Sequence, residues 1–385
     1  MKKILILSNS ASGLYEFRIE LIQHLLGGNE LYISLPEEDS DRYMRAFADK
    51  GCHVIHTPFE RRGMNPLKDY ELLKTYKRLM AEIGPDAVLT YTIKPNIYGG
   101  MAAKSLNIPY ITNITGLGTA ILSGGTLGNI LLKLYAYATS KACCIFFQNS
   151  SNMEFMKSHG VRGTGNIRLL PGSGVNLEAH PYADYPPEDN GIEILSVMRI
   201  MKDKGIEELL EAADRLGSDP AFAPSGADTS GGDRVRRIHF SIAGSYEEET
   251  RSLYEPKIQA LEQKGILNFV GFVDDMNPLY AKSHVIVHPS YHEGLSNVCL
   301  EAASCGRPVI TTDIPGCRET VDTEQPSGIL CQPRSTESLI QSLKKMLALT
   351  HSEREAMGRA GRTHVGREFD RNLVIKAYKE ELDKI

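Results

Sequence analysis

Four side chains in the second half of the chain combine types and spacing suited to a ligand bearing both phosphates and hydroxyls: Arg199, Lys204, Glu293 and Glu301. Arg199 and Lys204 lie in Met198-Arg199-Ile200-Met201-Lys202-Asp203-Lys204-Gly205, between an apolar strand-length run at 193–197 and a helical pattern at 206–216. They flank a strand-to-helix turn, where an arginine fork and a mobile lysine charge could meet one diphosphate. Neutralising a departing diphosphate is the work such cations do where no metal does it. Glu293 and Glu301 lie in Tyr291-His292-Glu293-Gly294-Leu295-Ser296-Asn297-Val298-Cys299-Leu300-Glu301, after the apolar run 285–288. A strand, a Pro289-Ser290 loop and a helix opening near Ser296 leave backbone N–H groups free at the strand end, a setting that favours phosphate. Glu293 falls in the loop and Glu301 just over one turn into the helix, so both could reach one extended ligand. Carboxylates suit paired hydroxyls because they accept two hydrogen bonds at once. Loop charges are more often merely solvated, but two such motifs at strand ends of one sheet are harder to dismiss.

The elements that must hold these residues follow one rhythm, twice. Strand-length apolar runs occur at 3–8, 31–34, 54–57, 87–90, 110–113 and 144–148, with helical patterns at 14–26, 67–83 and 96–106. Gly172-Ser173-Gly174 and the Pro-, Asp- and Glu-rich stretch 181–189 read as a linker. The rhythm resumes with strands at 193–197, 239–243, 267–271, 285–289 and 308–312. Strands alternating with helices predict βαβ units. The expected fold is α/β, two doubly wound Rossmann-like domains facing a central cleft, with ligands at the carboxyl ends of the strands. The first domain is expected over 1–174 and the second over 175–366. Residues 217–233, rich in Gly, Ser, Pro and Asp, read as a surface insertion.

Composition narrows the class. With 385 residues, 42% hydrophobic and 24% charged, the chain suits two globular domains. Its apolar runs are strand-length, none approaches a membrane span, and no secretory h-region is evident, which points to the cytoplasm. Seven cysteines without paired C-x2-C spacing suggest buried free thiols rather than disulfides or zinc. Residues 1–174 carry a net +5 (19 basic, 14 acidic) and the remainder −10 (24 basic, 34 acidic), a contrast that suits an anionic partner for the first half. Gly116-Leu117-Gly118 is not a dinucleotide fingerprint. His288 and His292 leave a strand rather than share a helix face, so no metal site is expected. Nothing indicates nucleic acid.

R-x4-K-G followed some ninety residues later by E-x7-E resembles the retaining glycosyltransferase family 4, of GT-B fold. The likeness spans nearly the whole chain and is strongest from about residue 193 to 320. It implies sugar transfer from a nucleotide sugar, retaining and metal-independent, with no cofactor beyond that donor. By this resemblance Arg199, Lys204 and Glu293 are the catalytic set. Arg199 and Lys204 hold the donor diphosphate, Glu301 the ribose, and Glu293 the donor sugar beside the backbone of Gly294, Leu295, Ser296 and Asn297. Gly271, Phe272 and Val273 match the family's base-pocket strand end. Pro315-Gly316-Cys317 matches a second glycine loop that is usually Gly-Gly. Gly13 matches the first-domain glycine that lets backbone approach the donor phosphate, one Gly standing where the family usually has two. A final helix, within 367–385, is implied to cross back to the first domain.

Where many members carry a His after a middle strand, this chain has Thr90-Tyr91-Thr92-Ile93-Lys94-Pro95-Asn96, with Thr92 or Lys94 the replacement candidates. With Asn96, Thr115 and Gly116 they form the acceptor-side set. This stretch is similar to a subgroup acting on lipid-linked oligosaccharides in capsule, O-antigen and protein-glycan assembly. A UDP-sugar donor, carrying a hexose or N-acetylhexosamine, and a polyprenyl-diphosphate-linked saccharide acceptor follow from that likeness. Arg61, Arg62, Lys68, Lys74, Lys77 and Arg78, interleaved with Leu67, Leu72, Leu73 and Leu79, could lie on the cytoplasmic face of the inner membrane, or be a solvated helix packed on its own domain. Two rival functions stay open: a nucleotide-sugar epimerase or hydrolase, and a binding protein without catalysis.

Overall fold

The computed structural model describes residues 1–36, 41–60, 65–122, 124–222 and 237–385. Arg61, Arg62 and all of the expected insertion beyond Phe222 lie outside them. The chain divides into two compact units, Met1–Gly174 with Arg371–Ile385, and Val175–Asp370.

In the first unit seven strands form one parallel sheet: β1 (Lys2–Leu7), β2 (Asn29–Leu35), β3 (His53–His56), β4 (Ala87–Tyr91), β5 (Tyr110–Ile114), β6 (Cys144–Phe147) and β7 (Asn166–Leu169). Their spatial order is β3-β2-β1-β4-β5-β6-β7. Successive side chains of a strand face opposite ways, and both faces here are covered. Ile4 and Ile6 enter one core with Leu21 and Leu31, while Leu5 and Leu7 enter another with Tyr76 and Phe147. That is why the central strands read as unbroken apolar runs rather than as alternation.

The second unit repeats the plan with β8 (Ile192–Val197), β9 (Ile238–Ala243), β10 (Leu267–Gly271), β11 (Val285–His288), β12 (Val309–Thr312) and β13 (Gly328–Cys331), ordered β10-β9-β8-β11-β12-β13. All pairings are parallel, with Val285 beside Ile194 and Val287 beside Ile310. In each sheet the order reverses once, between β1 and β4 and between β8 and β11. A crevice opens at such a reversal, at the carboxyl ends of the strands.

Two strands, β7 and β13, have no counterpart in the sequence reading. Both are four-residue edge strands with mostly half-exposed residues, so neither carries a strong apolar run. The expected linker is also not free: Tyr185 is buried with its hydroxyl donating to His284 O at 3.0 Å, and Arg307 Nη2 donates to Ala183 O and Asp184 O at 2.8 Å each. The chain re-enters the first unit at Arg371 rather than 367, because Asp370 still bridges Val175 in the second. The last helix, Arg371–Leu382, then buries Val374 and Tyr378 in the first unit's core. Leu72 and Leu79 of the helix Pro66–Ile83 are likewise buried, whereas Leu67 and Tyr70 project into solvent.

Candidate functional site

The second unit gathers its charged residues at the β8/β11 reversal. After β8 the chain makes a 3-10 turn, Lys202–Lys204, and enters the helix Ile206–Gly217 through Gly205. Gly205 has φ +74°, and a Cβ there would lie 2.1 Å from Pro289 O. Only glycine allows this turn to press against the loop that follows β11. Tyr291 N–H donates to Asp203 O at 2.9 Å, which ties the two loops together.

This contact brings Lys204 to Glu293, Nζ to Oε1, at 2.6 Å. His288, the last residue of β11, reaches the same oxygen through Nε2 at 2.9 Å. Burial pushes the Glu293 carboxyl upward in pKa, but the His288 hydrogen bond and the charges of His288 and Lys204 outweigh it and hold the group at about 2. Glu293 is therefore a carboxylate, which only accepts, so the His288 Nε2 carries the hydrogen. Burial lowers the His288 pKa, yet Cys299 and Glu293 outweigh it, for a net rise.

Beyond Glu293, Ser296 caps the helix Asn297–Ser304: its hydroxyl accepts from Cys299 N–H at 3.3 Å. Gly294 and Asn297 are half-exposed, whereas Leu295 and Ser296 are buried. Gly316, with φ +88°, sits against the Glu293 and Gly294 carbonyls, where a Cβ would come within 2.6 Å. Ser296 N–H donates to Gly316 O at 2.7 Å, so the second glycine loop braces the first. Cys317 takes its place as a buried thiol behind that brace.

Glu301 is half-buried and accepts from Tyr280 OH at 3.1 Å through Oε2. Arg199 does not meet Lys204 on a shared partner; its Nη1 pairs with Oε1 of Glu247, the residue preceding the helix Glu248–Gln263. Gly271, at φ +79°, ends β10 with its carbonyl accepting from Gly244 N–H at 2.8 Å; Phe272 is two-thirds exposed and Val273 half-exposed. His288 and Glu247 are the residues sequence reasoning did not single out for the site. For His288 the available signal was its place as the last residue of a buried strand, five before Glu293.

The first unit treats its candidates differently. Gly13 is not in an open turn but inside the first turn of the helix Ala11–Leu26, its N–H donating to the Ser10 cap at 3.1 Å. The Ser10 hydroxyl thus takes up the Gly13 amide within the helix. Asn96 is fully buried, its Nδ2 donating to Asn113 O at 2.9 Å, so it braces β5 rather than presenting to an acceptor. Lys94 is paired with Asp69 Oδ1 at 3.0 Å, and Tyr98 OH donates to Asp69 Oδ2 at 3.0 Å. Thr92 has φ +72°, a left-handed conformation rare for a β-branched residue. Its carbonyl accepts from Asn96 N–H at 2.9 Å, opening the π-turn Pro95–Gly99 that stands where a plain helix was expected. Gly99 there packs on Leu7, a Cβ falling 2.5 Å from its Cδ1. Thr115 and Gly116 are half-exposed after β5. Among the described residues no group of three or more His, Cys, Asp or Glu side chains is placed to hold a metal ion.

Residues 183–364 match the family of glycosyl transferases group 1, and residues 3–149 match the glycosyl transferase 4-like family. The two matches together take in most of the chain, and the chain is a glycosyltransferase similar to both families. Its two doubly wound units are those of the GT-B fold, and its reaction class is sugar transfer. Along 98% of both chains it is 24% identical to the N,N'-diacetylbacillosaminyl-diphospho-undecaprenol alpha-1,3-N-acetylgalactosaminyltransferase of Campylobacter jejuni. Over 46% of its length it is 29% identical to the capsular polysaccharide biosynthesis glycosyltransferase CapM of Staphylococcus aureus, covering 42% of that protein. Among solved structures, Anabaena HepE in complex with UDP superposes with a TM-score of 0.79 over 100% of both chains, at 15% identity.

Proposed function

We propose that this glycosyltransferase moves a hexose or N-acetylhexosamine from a UDP-sugar to a hydroxyl of a polyprenyl-diphosphate-linked saccharide, retaining the anomeric configuration without a metal. The observation that carries this reading is the Lys204–Glu293 pair at the β8/β11 reversal. A cation for a leaving diphosphate and a carboxylate for sugar hydroxyls stand together where a doubly wound sheet binds its ligand. In this reaction the bond from the anomeric carbon to the diphosphate oxygen breaks, with Lys204 and Arg199 meeting the charge. The acceptor oxygen bonds to the same face of that carbon, and its proton passes to the departing phosphate. Glu293 is held by Lys204 and His288, which suits it to binding the sugar rather than attacking its anomeric carbon and so favours this front-face route over double displacement.

The acceptor class draws support from the Campylobacter relative, whose name specifies an undecaprenol diphosphate, and the uridine base from the UDP bound to HepE. Exposed Leu67 and Tyr70, beside Lys68 and Lys74, support peripheral docking of the first unit on the anionic cytoplasmic face of the inner membrane. No helix among the described residues is long and apolar enough to cross it. The test is to incubate the protein with UDP-N-acetylhexosamines or UDP-hexoses and an undecaprenyl-diphosphate disaccharide, with EDTA present, and to assign the product anomer by NMR. An α-linked product from an α-donor is expected. An inverted product, or transfer abolished by EDTA, would contradict the proposal.

A further inference from the structure

Glu293 is held in an asymmetric way. Lys204 Nζ and His288 Nε2 both approach Oε1, at 2.6 and 2.9 Å, and Oε2 makes no hydrogen bond among the described residues. The two holders differ in freedom. Lys204 is a long side chain from a 3-10 turn, with three N–H donors and a flexible stem. His288 is 2% exposed at the end of a strand flanked by β8 and β12, with its carbonyl accepting from Thr311 Oγ1 at 2.9 Å. One holder can move and the other cannot.

We propose that His288 is a positioning residue: it keeps the Glu293 carboxylate in place, Oε2 toward the donor sugar, when Lys204 leaves that carboxylate for the donor diphosphate. The proposal rests on the nucleotide-sugar reading of this site. A diphosphate is a stronger attractor for the Lys204 ammonium than one carboxylate. Its departure would strip the cation from a carboxylate whose side chain is only 14% exposed, and a buried charge left unpaired is strongly unfavourable. His288 removes that difficulty, because its Nε2–H remains on Oε1 from below. Its Nδ1 is buried and has no hydrogen-bond partner among the described residues. A ring kept with one nitrogen unsatisfied is accounted for if the other nitrogen is the one that matters.

The charged and titratable groups that face His288 are Glu293 from its own loop, Lys204 from the turn after β8, and Cys299 from the helix Asn297–Ser304, which interacts in turn with Cys317. Lys204 acts to lower the affinity of His288 for a proton and Glu293 to raise it. Moving Lys204 to a phosphate therefore makes His288 hold its proton to higher pH.

The direct test is a pH titration of the His288 ring nitrogens by 15N NMR, using the full chain with and without saturating UDP. The midpoint should rise when UDP binds, be already raised in Lys204→Met, and fall in Glu293→Gln. His288→Leu should lower kcat about 10–100-fold through a misplaced carboxylate, while UDP affinity stays within about threefold, since UDP carries no sugar for Glu293 to hold. His288→Gln, which retains an N–H at the Nε2 position, should recover most of kcat and lose the part of the pH profile that follows the His288 midpoint. UDP binding that leaves the His288 midpoint unmoved would overturn the proposal without touching the transferase reading, as would His288→Leu and His288→Gln equally impaired in UDP affinity. If UDP fails to bind the wild type at all, it is the nucleotide-sugar reading that falls. An unshifted midpoint in Glu293→Gln would then still refute the His288–Glu293 link.

Discussion

Each unit carries a lysine–carboxylate pair whose lysine follows a strand at the order reversal, Lys94 after β4 and Lys204 after β8, and the two pairs are almost equally shielded. Lys94 and Asp69 in the first unit have side chains 12% and 11% exposed; Lys204 and Glu293 in the second have 19% and 14%. The difference lies in how the carboxylate is used. Asp69 spends both oxygens on its own fold, Oδ1 on Lys94 and Oδ2 on Tyr98 OH. Glu293 takes both of its partners on Oε1. A carboxylate committed at both oxygens is a brace, whereas one held at a single oxygen is restrained and still able to bind. On the proposed reading, the uncommitted oxygen rather than burial or pairing is what marks the functional ion pair.

The sharpest way to break this comparison is to remove each lysine. Lys204→Ala is expected to lower kcat/KM for transfer about 10²–10³-fold, the range for losing one preorganised stabiliser of developing charge. Lys94→Ala should stay within about tenfold, its effect appearing in thermal unfolding, since truncating one partner leaves Asp69 buried without its cation. Equal losses of turnover would mean that the first pair also works on substrate. Next in size, Gly205→Ala forces a side chain into a left-handed backbone against Pro289 O. Backbone strain alone should cost about 1–3 kcal/mol in denaturant unfolding, and the Lys204–Glu293 contact should loosen with it.

A smaller effect is expected from pH. The Glu293 carboxyl is held at about 2 in the folded chain against an ordinary 4.5. A depressed folded value stabilises the native state above pH 4.5, and that stabilisation is lost as pH falls toward 2. The difference in unfolding free energy between wild type and Glu293→Gln should therefore shrink over this window and be flat above it. Smallest of all, Gly13→Ala sits inside a helix turn with only Ser10 Oγ nearby, at 3.3 Å from the added Cβ. It should change stability by no more than about 1 kcal/mol and leave turnover within a few-fold; a tenfold loss would restore Gly13 as a phosphate contact.

The comparison also explains what could be read from the sequence. The placement of Arg199, Lys204 and Glu293 just after strands, and of Glu301 about one turn into the next helix, was legible because strand, loop and helix follow one another within a few residues. Glu247 was not, because strand pairing brings it to Arg199 from 48 residues away, and His288 was not, because nothing in the sequence shows that its ring turns to the carboxylate five residues on. The surroundings of Asn96 and Gly13 were hidden for the same reason in reverse. Nothing in Thr92-Ile93-Lys94-Pro95-Asn96 reveals that Asn96 turns inward to the Asn113 carbonyl, nor that Ser10 caps the helix early enough to enclose Gly13. The edge strands β7 and β13 were missed because a strand with one partner and half-exposed residues leaves little apolar pattern.

The claim on which the rest depends is that the β8/β11 reversal receives a nucleoside diphosphate through Lys204 and Arg199. Calorimetric titration of UDP into wild type, Lys204→Met, Arg199→Met and Lys94→Met tests it most directly. UDP should bind wild type and Lys94→Met alike, and should bind Lys204→Met and Arg199→Met at least about tenfold more weakly, the equivalent of about 1.4 kcal/mol each. Undiminished UDP affinity in Lys204→Met, or affinity lost in Lys94→Met instead, would contradict the account.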